Sequence, residues 1–173
     1  ITGFMFVLPL LNQDSTLTIT EPYESKSYVN LTIQMLAKFG IEIIETSSNS
    51  YLIKGNQHYK AQDVSVEGDF SQLAFFAVLG TLNNTLSCSN MDMSSKQGDK
   101  AILDCIPSFT SDKDTITFTK KQPIPQTIDL SNCPDLGPIL CVLASFTNGE
   151  TNIVNAARLR MKESDRILAM ETE

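Results

Sequence analysis

One histidine, His58, and four cysteines, Cys88, Cys105, Cys133 and Cys141, are all that the 173 residues offer for soft-metal or thiol chemistry. The cysteines show no C-x-x-C spacing, so no local Cys/His metal motif exists. No histidine stands beside a cysteine in sequence, which leaves a nucleophilic thiol without its usual activating base. The four are expected to be reduced, mostly buried thiols of a cytoplasmic protein. Cations are also in deficit: 13 Lys and Arg face 20 Asp and Glu, for a formal charge of -7. A chain of this sign carries no basic footprint for nucleic acid or an anionic membrane surface. A small anionic substrate is not excluded, because a local cluster of cations overrides the global sign at short range. The eight glycines form neither G-x-G-x-x-G nor a P-loop, which argues against nucleotide binding by those devices. The apolar opening, Ile1 to Leu11, falls far short of the roughly 20 residues that span a bilayer, and no basic region precedes it. It is expected to be a buried segment.

What is present is an ordinary globular composition, 42% hydrophobic and 19% charged, enough for one good core or two small ones. Thr16 to Thr20 alternates with period two, as a half-buried strand should. From Lys26 to Phe39, Val29, Ile33, Leu36 and Ala37 recur at helical spacing, and Gly40 stands where a left-handed cap is expected. Ile41–Glu45 and Ser50–Lys54 then read as a hairpin. A second stretch begins with a short strand at Val64–Val66. Asp69 caps a helix from Phe70 to Leu79, with Gly80 as its stop. Strands follow at 85–89 and 115–119 with a helix between them near 98–106. A short strand at 127–129, a buried helix at 135–146 and a last strand at 151–154 complete the order. Strands alternate with helices and are interrupted by strand pairs, which predicts an α/β or α+β layered fold of repeated β-α-β-α-β-β units. The chain starts without Met inside an apolar run and stops inside a helical pattern, so both ends are read as truncated.

The densest chemistry lies at Arg158 to Arg166, where four cations and two carboxylates share nine positions. On a helix, Lys162 and Arg166 would be i,i+4 neighbours on one face, repelling by a few tenths of a kcal/mol, and a bound anion would remove that cost. Glu163 can pair with Arg166 at i,i+3, while Lys162 lacks a carboxylate four residues on and is expected to face a ligand. The alternative is a solvated helix face of mixed charge.

The run Leu159-Arg160-Met161-Lys162-Glu163-Ser164-Asp165-Arg166 resembles the signature of the 5-enolpyruvylshikimate-3-phosphate (EPSP) synthase family. Four further landmarks follow the family's order: Ser25-Lys26-Ser27-Tyr28, Val66 through Phe76, Gln97-Gly98-Asp99, and Cys133-Pro134-Asp135 through Pro138. Together they cover nearly the whole chain. The resemblance implies a two-domain enzyme of the enolpyruvyl transferase fold, with residues 1–66 ending one domain and 67–173 beginning the other. It implies transfer of the enolpyruvyl group of phosphoenolpyruvate to the 5-hydroxyl of shikimate 3-phosphate, with loss of phosphate, in aromatic amino acid biosynthesis. No cofactor or metal is implied, and a monomer is expected.

Residue by residue, the resemblance makes Asp135 the carboxylate that activates the ring hydroxyl and Glu163 the proton donor and acceptor at the methylene. Lys162 contacts substrate and Arg166 holds phosphoenolpyruvate. Ser25 and Tyr28 give hydroxyls to shikimate 3-phosphate. Without the resemblance, Asp135 and Ser25 would be read as helix caps, Glu163 as a salt-bridge partner and Tyr28 as a half-buried aromatic. Asp69, Ser71 and Gln72 match the family and are assigned structural roles. Ser27 replaces the family's usual Pro, which should alter backbone stiffness more than chemistry. Arg158 stands where some members have an Asn that touches substrate, so that contact is not transferred. The competing functions are a sister enolpyruvyl transferase acting on a UDP-N-acetylglucosamine-like substrate, whose Cys-bearing loop has no match here, and a non-catalytic substrate-binding fragment. Family members carry further cations on either side of the matched region, so the 173 residues alone are expected to be inactive.

Overall fold

Hydrophobic patterning divides the chain into two compact units, Ile1–Val66 and Glu67–Glu173, each with its own core, in a computed structural model that describes residues 1–173. No helix is long and apolar enough to cross a membrane.

The first unit opens with α1 (Thr2–Val7), a 3-10 turn at Leu8–Leu10 and β1 (Ser15–Thr18). Helix α2 (Lys26–Lys38) then leads to β2 (Ile43–Ser47) and β3 (Ser50–Ile53). The strands pair antiparallel in the order β1-β3-β2, so the last strand in sequence is the central one. Central position and period-two alternation bury Tyr51 and Ile53 completely, and they share a core with Val29 and Leu36 of α2, Ile41 and Met5. Helix α2 ends as its sequence predicts. Gly40 has φ +81°, its N–H donates to Ala37 O and that of Ile41 to Leu36 O, the paired bonds of a Schellman ending.

The opening segment does not meet its expectation. Only Met5 and Pro9 of its apolar residues are buried, while Phe4 is 62% exposed and Val7, Leu10 and Leu11 also face outward. A six-residue helix presents one narrow face to the core, and here that face is Met5 alone.

In the second unit, α3 (Phe70–Leu82) precedes β4 (Leu86–Cys88), a 3-10 turn at Gly98–Ala101 and α4 (Ile102–Cys105). The hairpin β5 (Phe109–Asp112) and β6 (Thr115–Phe118) follows. Next come β7 (Thr127–Asp129), a 3-10 turn at Pro134–Leu136, α5 (Gly137–Ser145) and β8 (Asn152–Val154). A 3-10 turn at Ala157–Met161 and α6 (Arg166–Thr172) end the chain. Strands β4-β6-β5 form an antiparallel sheet in that order, and β7 and β8 pair in parallel across the α5 crossover. The α/β class is therefore as expected.

Three local readings change. Val64–Val66 forms no strand, and Val66 is 77% exposed. The run from α3 to β6 is therefore α-β-α-β-β without a leading strand. Gly80 does not stop α3, which continues to Leu82. A Cβ at that position would lie 2.8 Å from Phe118 Cβ, so the glycine lets the helix lie close on β6. Strand β5 was not foreseen, because Phe109-Thr110-Ser111-Asp112 has one large apolar residue and its turn uses Lys113 at φ 53° instead of a glycine.

Candidate active site

The cluster of interest lies in the second unit, where the 3-10 turn after Cys133 and the segment after β8 meet. Pro134 starts that turn and sets Asp135 half-exposed on it, with Leu136 buried beneath. Asp135 caps no backbone N–H, so the cap reading of this residue does not hold.

The charged run is not one helix. Residues Ala157–Met161 form a 3-10 turn anchored by buried Leu159, and Lys162 leaves it with extended backbone (φ -80°, ψ -165°). Helix α6 starts only at Arg166, capped by Asp165, whose Oδ1 accepts from Leu168 N at 3.0 Å and whose Oδ2 accepts from Arg160 at 2.8 Å. The Leu168 amide, followed by Arg160, holds the Asp165 carboxyl below its ordinary value. The i,i+4 argument for Lys162 and Arg166 therefore has no helix to act on.

The two cations converge all the same, through tertiary contact. Lys162 Nζ and Arg166 Nη1 each lie 3.0 Å from the same oxygen, Asp135 Oδ1. Arg166 Nη2 donates to Glu163 Oε2 at 2.9 Å, so one guanidinium bridges two carboxylates. Lys162 thus holds an ion pair, contrary to its reading as a cation left to face a ligand. The expected Glu163–Arg166 pair forms, outside a helix. Glu163 is 80% exposed. Its own backbone N–H first, and Arg166 next, hold its carboxyl below the ordinary value. Asp135, Glu163, Lys162 and Arg166 are therefore brought together within one unit.

Ser25 and Tyr28 belong to the first unit, at the start of α2. Ser25 precedes the helix in left-handed backbone (φ 56°) and its side chain does not cap, while its carbonyl accepts from Tyr28 N at 3.1 Å. Tyr28 is half-buried.

A second polar group, underrated by the sequence reading, gathers at the start of α3. Asp69 caps the helix as expected, accepting from Ser71 N at 2.8 Å. Gln97 closes the same helix end: its Oε1 accepts from Phe70 N at 2.9 Å, and its Nε2 donates to Glu67 Oε1 and Gly68 O. Ser95 Oγ also donates to Glu67 Oε1. Asp99 is 1% exposed and accepts from Ser71 Oγ through Oδ2. Burial pushes the Asp99 carboxyl above its ordinary value, against the Ser71 bond. The run Gln97-Gly98-Asp99 was the available signal; its burial was not legible.

Cys105 and Cys133 are buried free thiols, Cys88 and Cys141 half-buried. Burial pushes Cys105 up to about 11 and Cys133 up to about 12, so neither is a ready nucleophile at neutral pH. A cavity of about 360 Å³ has Gly137, Pro138, Cys141, Ile153 and Met170 on its walls and touches Arg166. Its apolar lining suits an apolar group better than a small multivalent anion.

The fold is like that of solved enolpyruvyl transferases. It matches a solved EPSP synthase from Acinetobacter baumannii at a TM-score of 0.75 and 22% identity, over 98% of this chain and 41% of that one. It matches the enolpyruvyl transferase NikO of Streptomyces tendae at a TM-score of 0.67 and 16% identity, over 86% of this chain and 37% of that one. At these identities the likeness speaks for fold alone. Sequence narrows it. The 3-phosphoshikimate 1-carboxyvinyltransferase of Clostridium acetobutylicum is 50% identical over 175 residues, and that of Clostridium kluyveri 45% over 177; each alignment takes in 100% of this chain. The family model of EPSP synthase (3-phosphoshikimate 1-carboxyvinyltransferase) matches residues 1–173, and the chain belongs to that family. It spans about two fifths of the length of these curated relatives, 41% and 42%.

Proposed function

We propose that the protein carrying this chain transfers the enolpyruvyl group of phosphoenolpyruvate to the 5-hydroxyl of shikimate 3-phosphate and releases phosphate. The observation that carries the reading is the meeting of Lys162 and Arg166 on Asp135, with Glu163 on the far side of the guanidinium. Residues 1–66 and 67–173 are parts of the two domains of such an enzyme. It works as a cytoplasmic monomer with small-molecule partners and no nucleic acid.

In this reading the sugar hydroxyl oxygen bonds to C2 of phosphoenolpyruvate while Asp135 takes its proton and Glu163 delivers one to C3. Elimination then returns a proton from C3 to Glu163 and restores the double bond, while the departing phosphate takes up the proton that Asp135 had accepted. Two carboxylates in different surroundings suit these two tasks. A carboxylate held below its ordinary value by its own backbone N–H and then by Arg166 is a poor proton donor. An incoming phosphoenolpyruvate anion that takes over the guanidinium removes the Arg166 share of that hold and lets Glu163 rise toward its ordinary value. Ligand binding and proton supply are thereby coupled through one side chain. Lys162 steadies the anionic adduct, and Ser25 and Tyr28 hold shikimate 3-phosphate.

Phosphate release from the two substrates, assayed with the chain expressed in its native flanking sequence, tests the reading. Turnover that needs both substrates is expected, and its absence rejects the assignment. The 173 residues alone are expected to be inactive, and turnover by them would overturn the view that further cations complete the site.

A further inference from the structure

Lys162 and Glu163 are consecutive residues with different partners. Lys162 Nζ lies 3.0 Å from Asp135 Oδ1, and Glu163 Oε2 lies 2.9 Å from Arg166 Nη2. The backbone at Lys162 is extended, which turns the next side chain to the opposite side of the chain, so a small change in the path of this loop would carry one or both away from its partner. Such a path needs an anchor at each end.

The near end is held by Leu159. It is 5% exposed and sits against Gly137, where an added Cβ would lie 2.5 Å from Leu159 Cδ1, so the 3-10 turn of Ala157–Met161 is seated beside the turn that carries Asp135. The far end is held by Asp165, whose Oδ1 caps α6 by accepting from Leu168 N at 3.0 Å. One bond joins the two ends: Arg160 Nη1 donates to Asp165 Oδ2 at 2.8 Å and closes residues 161–164 into a loop. With side chains 55% and 32% exposed, this ion pair adds little to stability. Its consequence is geometric, because it ties the seat of Leu159 to the start of the helix that carries Arg166.

We propose that Arg160 is a positioning residue of the proposed site: its clasp on Asp165 closes the loop 161–164 and holds Lys162 on Asp135 and Glu163 on Arg166. This rests on the functional reading above only for its effect on turnover. The path of the loop can be judged without it.

The test compares Arg160→Ala, Asp165→Asn and the double variant in the complete protein. Arg160→Ala should lower kcat by roughly ten- to a hundredfold, since slight misplacement of reacting groups is costly, and leave the unfolding midpoint near wild type. Asp165→Asn keeps an oxygen to cap α6 but loses the charge that Arg160 grips, so its kcat should fall by a similar factor. The double variant should be no slower than the slower single one, as for residues acting as a unit. Arg160→Lys, which keeps a cation for Asp165, should recover part of the loss. A crystal structure of Arg160→Ala should show Lys162 Nζ beyond about 4 Å from Asp135 Oδ1, outside ion-pair range. Wild-type kcat in Arg160→Ala overturns the proposal, and a fall in kcat with a lowered midpoint does the same by marking a structural role. Losses that multiply in the double variant also overturn it, because they mean that Arg160 acts on substrate directly. If Arg160→Ala does not fold, Asp165→Asn decides by the same kcat and the same distance. Absence of wild-type turnover would reject the proposed reaction, and the position of Lys162 in Arg160→Ala would still judge the clasp.

Discussion

Two helix starts in the second unit use the same device for opposite ends. Helices α3 and α6 both begin at an aspartate whose side chain accepts from a backbone N–H of the first turn, Asp69 from Ser71 and Asp165 from Leu168. Around α3 the neighbours are Glu67, Ser95, Gln97 and Asp99, knitted by hydrogen bonds between side chains and backbone. Around α6 they are Lys162, Glu163, Arg166 and Asp135, joined by ion pairs and partly open to water. The first arrangement is closed to water and bonded throughout except at one oxygen of Asp99, which suits a fixed support. The second can exchange its internal partners for an anionic ligand, because half-solvated ion pairs are individually weak. A site that must bind and release a substrate belongs at the second kind of helix start.

The sharpest way to break this contrast is at Asp135. Asp135→Asn in the complete protein should lower kcat by about 10²–10⁴, the usual worth of a positioned general base, with the unfolding midpoint nearly unchanged. Wild-type kcat would return Asp135 to a structural role. Arg166→Lys keeps the charge but cannot bridge Asp135 and Glu163. KM for phosphoenolpyruvate should rise about tenfold to a hundredfold, as expected for losing a charged hydrogen bond of roughly 1.5–3 kcal/mol. A KM within experimental error of wild type would show that the bridge is dispensable.

At the α3 start the effect should appear in stability instead. Gln97→Ala leaves Phe70 N and part of Glu67 without partners and should cost about 1–3 kcal/mol in denaturant unfolding. An unfolding midpoint that does not move would mean that water replaces Gln97 and that the end is less closed than its bonds imply.

The smallest effect is expected from acid. Glu163 and Asp165 are both held below their ordinary carboxylate values in the folded chain. Each therefore contributes stability that is present above its unfolded value and is lost as pH falls through the lower folded value. Amide exchange in α6 should accelerate below the ordinary carboxylate range, and Asp165→Asn should flatten that dependence. Equal acid sensitivity in the variant would show that another group loosens the helix.

Legibility from sequence followed the range of the interactions involved. Helix α2 was readable to its final turn because a 3.6-residue period and Gly40 are local signals. The hairpin β2–β3 was readable for a similar reason, its apolar alternation being interrupted by Ser and Asn residues. Gly80 was misread because a glycine in a helical pattern signals a stop locally, whereas the side chain of Phe118 on another element explains its absence of a Cβ. Strand β5 was missed because its stability comes from pairing with β6, and its own side chains are mostly polar. Among the site residues, identity came from a family pattern; the exchange of partners among them did not. Asp99 stood in plain view within Gln97-Gly98-Asp99, yet burial is a property of what surrounds a residue.

By itself, the sequence determined the α/β class, the C-terminal ending of α2, the N-cap of α3, and the family to which the chain belongs. These follow from periodicity, from cap and turn chemistry within a few positions, and from a motif read as a string. Only the tertiary structure decided that the charged run breaks at Lys162 and that Lys162 and Arg166 meet on one oxygen of Asp135. It also decided that a carboxylate from 36 positions before Asp135 lies buried in the turn packed behind it. Distances between residues far apart in the chain depend on how turns pack, and a linear pattern of charge carries no record of which charges will become neighbours.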